Sequence, residues 1–135
     1  MRVDFFEKNQ SFDINASQGG VYKIDLLCEG KQQPLCLYIG ESIWIASRCG
    51  KHLYSFMKNP NYLGLKEEDR DNDEFTLRFS VVEAINSNKT IFQAIYKNKE
   101  REAIKKYKPL TQLQTSDRQI SNKVEVVQTT IASWK

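Results

Sequence analysis

Apolar positions along this chain alternate, then step by threes and fours, then alternate again. Between Val21 and Leu27, the residues Tyr22, Ile24 and Leu26 share one side of a period-two pattern, which predicts a β-strand. Glu29-Gly30-Lys31-Gln32-Gln33-Pro34 breaks that pattern, and Leu35 to Ile39 predicts a second strand. So short a connection makes an antiparallel hairpin the economical arrangement. From Ser42, a suitable N-cap, Ile45, Ala46, Cys49, Leu53, Phe56 and Met57 recur at helical spacing to about Lys58. Trp44, Arg48 and His52 step by four along an adjoining face. Asn59-Pro60-Asn61 ends this helix, and residues 64–74 read as a polar loop with an acidic bias. Phe75, Leu77, Phe79 and Val81 then alternate with Thr76, Arg78 and Ser80, predicting a third strand. Ser87-Asn88-Lys89 reads as a turn and cap before a second helix from about Thr90 to Lys106. Its stripe is Phe92, Ile95, Tyr96, Ala103, Ile104 and Tyr107, and Pro109 stops it.

Past Leu110, Ile120, Val124, Val127, Ile131 and Trp134 fall at helical spacing, although β-branched residues favour strands. A helix is the reading adopted. Residues 1–18 are polar with scattered aromatics and suit a lid or a short edge segment. The expected fold is α/β in the α+β sense, a small, mostly antiparallel three-stranded sheet flanked by helices. It is expected to form one domain over 1–135, with a core at about 18–112, an N-terminal extension 1–17 and a tail 113–135.

The chain has 135 residues and is 40% hydrophobic, enough to bury a core without disulfides. Cys28, Cys36 and Cys49 have no zinc-type spacing; small buried thiols are the favoured reading over a Cys28–Cys36 pair across the hairpin. The segment Met1 to Lys8 has no signal-like apolar core, and no run approaches the roughly 18 apolar residues of a membrane span. A cytoplasmic protein that does not engage membranes is expected. The net charge of +3 permits contact with nucleic acid without implying it.

Taken singly, the residues able to do chemistry have plain structural readings. Tyr22 and Tyr38 suit strand packing, and Arg48 and His52 suit a solvated helix face. Glu100 borders the apolar stripe of its helix, four residues after Tyr96 and four before Ile104. A carboxylate there needs a metal or an ion pair with one of Lys97, Lys99, Arg101, Lys105, Lys106 or Lys108. Jointly the picture changes. Gly20-Val21-Tyr22 opens one strand and Tyr38-Ile39-Gly40 closes the next. Arg48 follows Tyr38 by ten, His52 follows by four more, and Glu100 precedes Ile104-Lys105-Lys106-Tyr107-Lys108-Pro109. From about Gly20 to Gln112, this order resembles the GIY-YIG nuclease domain of homing endonucleases, some type II restriction enzymes and the excision-repair nuclease subunit.

The resemblance implies a metal-dependent endonuclease that hydrolyses DNA phosphodiester bonds. Tyr22 and Tyr38 stand at the family's two tyrosines, Arg48 at its helical arginine, and His52 at a position held by histidine or tyrosine. Glu100 stands at the metal-binding glutamate. Gln112 stands where an asparagine often follows the proline matched by Pro109, a departure expected to loosen a contact supporting the site. The spacer between the two tripeptides is also longer than the family minimum. One divalent cation, Mg2+ or Mn2+, is expected at Glu100 with waters and a phosphate oxygen. Arg48 would fork onto the scissile phosphate. Tyr22 would activate or orient water with Tyr38 in support; Arg48, the metal and optionally Lys23 would either favour the phenolate or strengthen its polarisation of water. His52 would relay a proton or bind phosphate. Lys23, Lys97, Lys99, Arg101 and Lys105 would meet the DNA backbone without reading sequence. Specificity would be for DNA structure, be weak, or come from a protein partner or a homodimer. The alternative is a catalytically weak or inactive nucleic-acid-binding module of the same fold.

Overall fold

In a computed structural model of the chain, which describes residues 1–85, 93–112 and 122–134, the two predicted hairpin strands are longer than their apolar cores. They are β4 (Gly19–Cys28) and β5 (Leu35–Ser42), paired antiparallel. β6 (Phe75–Ile85) lies antiparallel on the other side of β4. The sheet has four strands rather than three. β1 (Arg2–Phe5) pairs parallel to β6 at the far edge, giving the order β1-β6-β4-β5. The N-terminal segment is thus the edge strand foreseen as one of its options. It is followed by a minor hairpin of β2 (Glu7–Lys8) and β3 (Ser11–Phe12). Phe6, between β1 and β2, is buried in the main core with Ile24, Leu26, Phe79 and Val127. That burial joins the N-terminal segment and the C-terminal helix to one core.

Helix α1 (Ile45–Lys58) covers one face of the sheet with Ile45, Cys49 and Phe56. Ser42 does not cap it. It ends β5, and its hydroxyl accepts from the Trp44 backbone N–H and donates to the Trp44 carbonyl, each at 3.0 Å. The chain therefore turns from strand to helix within Ile43 and Trp44. Met57, expected in the stripe, is exposed. Pro60–Leu63 form a 3-10 turn, and α2 (Glu67–Arg70) sits within the predicted loop, preceded by buried Leu63 and Leu65.

Helix α3 (Gln93–Tyr107) lies on the other face, where Ala103 packs against Val21 and Ile39. Ile95 is exposed rather than core. The expected turn at 87–89, Thr90 and Phe92, and Ile120 in the tail, lie outside the described residues. Helical spacing prevailed over β-branching in the tail. α4 (Lys123–Ala132) buries Val127, and Gln128 donates to the Gly64 carbonyl (3.2 Å) and to Asp69 (2.7 Å). All three cysteines are free thiols, and β4–β5 register sets Cys36 beside Asp25, not Cys28.

Candidate functional site

Strand register brings the two tyrosines together. Tyr22 lies opposite Gly40, and Ile24 lies opposite Tyr38. The two phenols therefore share one face and stack at 6.2 Å between ring centroids. Gly40 is needed for this: a Cβ there would strike the Tyr22 hydroxyl. Gly20 has φ 150°, a conformation that side chains rarely adopt, and a Cβ would meet the Glu83 carbonyl. Both glycines that frame the tyrosines thus have a steric reason.

α1 supplies the next layer. His52 is not on a solvated face; it is 3% exposed and points at the sheet. Its Nε2 lies 2.7 Å from the Tyr22 hydroxyl, and its ring centroid lies 4.8 Å from that of Tyr38. Burial, reinforced by Arg48 one turn earlier, pushes the His52 pKa down to about 4, so the imidazole is neutral at pH 7. Arg48 is exposed, and its guanidinium lies against the Tyr22 hydroxyl.

Of the two expected forms, phenolate or a phenol that polarises water, the phenolate does not follow from this geometry. Tyr22 is 1% exposed, and burial, with Tyr38 and Cys49 adding to it, drives its pKa far above the ordinary phenol value. Arg48 opposes that shift but does not overcome it. Lys23 does not help. It points to the opposite sheet face, where it pairs with buried Asp25 at 3.2 Å and lies 4.5 Å over the Tyr107 ring. Tyr38 is half-buried; burial again raises its pKa, with Tyr62 and Glu100 next.

α3 brings Glu100 to the edge beside β5. The carboxylate is half-buried and its pKa is raised, first by desolvation and also by Glu41, while Lys97 and Arg101 pull the other way. Among the described residues Glu100 forms no ion pair, because Lys97 is taken by Glu41 at 2.9 Å. Lys99 is shared between Glu83 (3.6 Å) and Glu102 (3.7 Å). Arg101 and Lys105 are exposed. A cleft of about 530 Å³ opens at this edge, lined by Glu41, Ser42, Ile43, Arg48, Tyr96 and Lys97 among others.

Gln112, in the 3-10 turn after α3, tightens the site rather than loosening it. Its side chain accepts from the Ile39 N–H at 2.8 Å and donates to the Ile39 carbonyl at 2.7 Å. Ile39 sits between Tyr38 and Gly40, so the longer amide clamps the edge strand that carries the second tyrosine. One participant has no counterpart in the expected set. The Tyr62 hydroxyl lies 2.7 Å from His52 Nδ1. Nothing periodic marks it: it sits in a turn, ten residues past its partner.

No group of three or more His, Cys, Asp or Glu converges as a metal cage among the described residues. The Glu100 carboxylate, with the Tyr38 phenol close enough to feel its charge, offers hard oxygen donors, and Glu100 lacks a paired cation among the described residues. That set fits a magnesium-type ion, which takes one or two carboxylates and retains water. Comparison of the chain with protein-family models, with curated proteins and with solved structures found no match. No helix among the described residues is long and apolar enough to cross a membrane.

Proposed function

We propose that this chain is a metal-dependent endonuclease that hydrolyses DNA phosphodiester bonds. The observation that carries the reading is the meeting, from three separated segments, of Tyr22, Tyr38, Arg48 and His52 on one sheet face, with unpaired Glu100 at the adjoining edge. Glu100 would hold Mg2+ or Mn2+, which supplies Lewis-acid stabilisation of the phosphorane-like charge and of the leaving 3′ oxygen. Arg48 would move from Tyr22 to the scissile phosphate, a rotamer change open to an exposed side chain. That movement would uncover the Tyr22 oxygen. Tyr22 would then act as a neutral phenol, accepting a proton from the attacking water while passing its own to His52. Tyr38, on the open side, would orient that water. Arg101, Lys105 and Lys106 are the α3 cations without a carboxylate partner among the described residues and are open for backbone contact, with Lys97 and Lys99 available once DNA competes with their carboxylate partners.

The burial of Tyr22 is the one observation on the side of a binding module of the same fold without turnover. Incubation of pure protein with supercoiled plasmid separates the two. The nuclease reading expects nicked circles with magnesium or manganese and none with chelator. Retained DNA binding with no nicking in either metal would contradict it.

A further inference from the structure

The least explained contact of the site is the one on the far side of His52. The imidazole lies between two phenols in series: Tyr22 at Nε2 and Tyr62 at Nδ1, both at 2.7 Å. Tyr38 packs tilted against its flank from β5, and Arg48 on α1 is the charge that acts on it. Lys123 of α4 lies 5.2 Å over the Tyr62 ring. A neutral imidazole carries one N–H, so the two hydrogen bonds must run in one direction. Arg48 favours one direction. Its guanidinium beside the Tyr22 hydroxyl can only donate toward that oxygen, which leaves the Tyr22 proton free to go to the Nε2 lone pair at 2.7 Å. Nδ1 then bears the hydrogen and donates it to Tyr62. The Tyr62 hydroxyl can turn its own proton outward, because the residue is 36% exposed.

We infer that Tyr62 is a positioning residue that holds His52 as the Nδ1–H tautomer, leaving Nε2 free to take the Tyr22 proton. The inference deepens the nuclease reading and rests on it for its catalytic consequence. As the water oxygen bonds to phosphorus, the bond to the 3′ oxygen breaks. The water proton passes to the Tyr22 oxygen and the Tyr22 proton to Nε2. The 3′ oxygen takes its proton from another water. The resulting imidazolium donates a charge-assisted hydrogen bond through Nδ1–H to Tyr62. After product leaves, Nε2 returns its proton to solvent through Tyr22. A third group that orients the base is what such a relay needs.

His52 is the only histidine in the chain, so its ring nitrogens give one unambiguous set of 15N resonances. At neutral pH the wild type is expected to show the Nδ1–H tautomer. Tyr62→Phe keeps the ring and removes the hydroxyl; it is expected to shift the population toward Nε2–H. Plasmid nicking should fall about tenfold, part of the roughly 100-fold or more that acid–base catalysis commonly supplies, with DNA affinity unchanged. A wild-type Nε2–H tautomer overturns the inference, and needs no variant. So does a tautomer population indifferent to Tyr62→Phe. The expected tautomer shift in a protein that never nicks DNA would support the hold of Tyr62 on His52 and overturn the nuclease reading instead.

Discussion

His52 shows how one residue's surroundings reach an observable. Its pKa of about 4, against 6.5 for a free imidazole, follows from burial first and Arg48 second. Above pH 6.5 the histidine is neutral in folded and unfolded chains and costs nothing. As the pH falls from 6.5 toward 4, the unfolded chain takes up a proton that the folded chain refuses, so stability is lost over that window. The size is about 3 kcal/mol, since each pKa unit is worth roughly 1.4 kcal/mol. Urea midpoints measured from pH 7 to pH 4 should fall more steeply in the wild type than in His52→Gln. Carboxylates such as Asp25 and Glu100, which titrate with the opposite sign of shift, are common to both proteins and cancel in the comparison. Parallel pH profiles would mean that His52 titrates alike in folded and unfolded chains, and would contradict its burial as a neutral imidazole.

Among the elements, β5 is the one that most needs outside help. It is the edge of the sheet, and it carries Tyr38 and Gly40. An edge strand leaves one row of backbone groups unpaired. Gln112 satisfies both groups of Ile39, and the Thr111 hydroxyl donates to the Leu37 carbonyl at 2.6 Å. Gln112→Ala is expected to cost about 1–2 kcal/mol, the usual net worth of two such hydrogen bonds, and to slow nicking through Tyr38. An unchanged denaturation midpoint would contradict the clamp. Much of this level was legible beforehand. The period-two runs marked β4, β5 and β6, and the helical stripe marked α1, because each has one face in the core. β1 was harder. It is four residues long, no member is fully buried, and its partner lies more than seventy residues away. The tripeptides located Tyr22 and Tyr38, but alternation cannot say how deep a residue lies, so the sealing of Tyr22 was not foreseen. Tyr62 left no trace at all, because its turn follows no period.

At the scale of the whole molecule, charge is less available than the composition suggests. The net charge is +3, but Lys23, Lys97 and Lys99 are engaged by carboxylates. If Arg48, Arg101 and Lys105 make the phosphate contacts, the logarithm of DNA affinity should fall with that of salt at a slope of about −3. Arg101→Ala should lower the magnitude by about one. A response flat in salt would remove the DNA backbone as a partner.

Residues from β4, β5, α1 and α3 are proposed to act as one phosphodiester-cleaving site. The rate of plasmid nicking in magnesium by wild type, Glu100→Ala, Arg48→Ala and the double variant tests this proposal most directly. Groups that act together on one transition state are not additive. Each single variant should therefore lose at least about 100-fold, the scale of one transition-state contact, and the double variant should be little worse than the weaker single. Full activity in Glu100→Ala, or losses that simply multiply in the double variant, would contradict a single shared site.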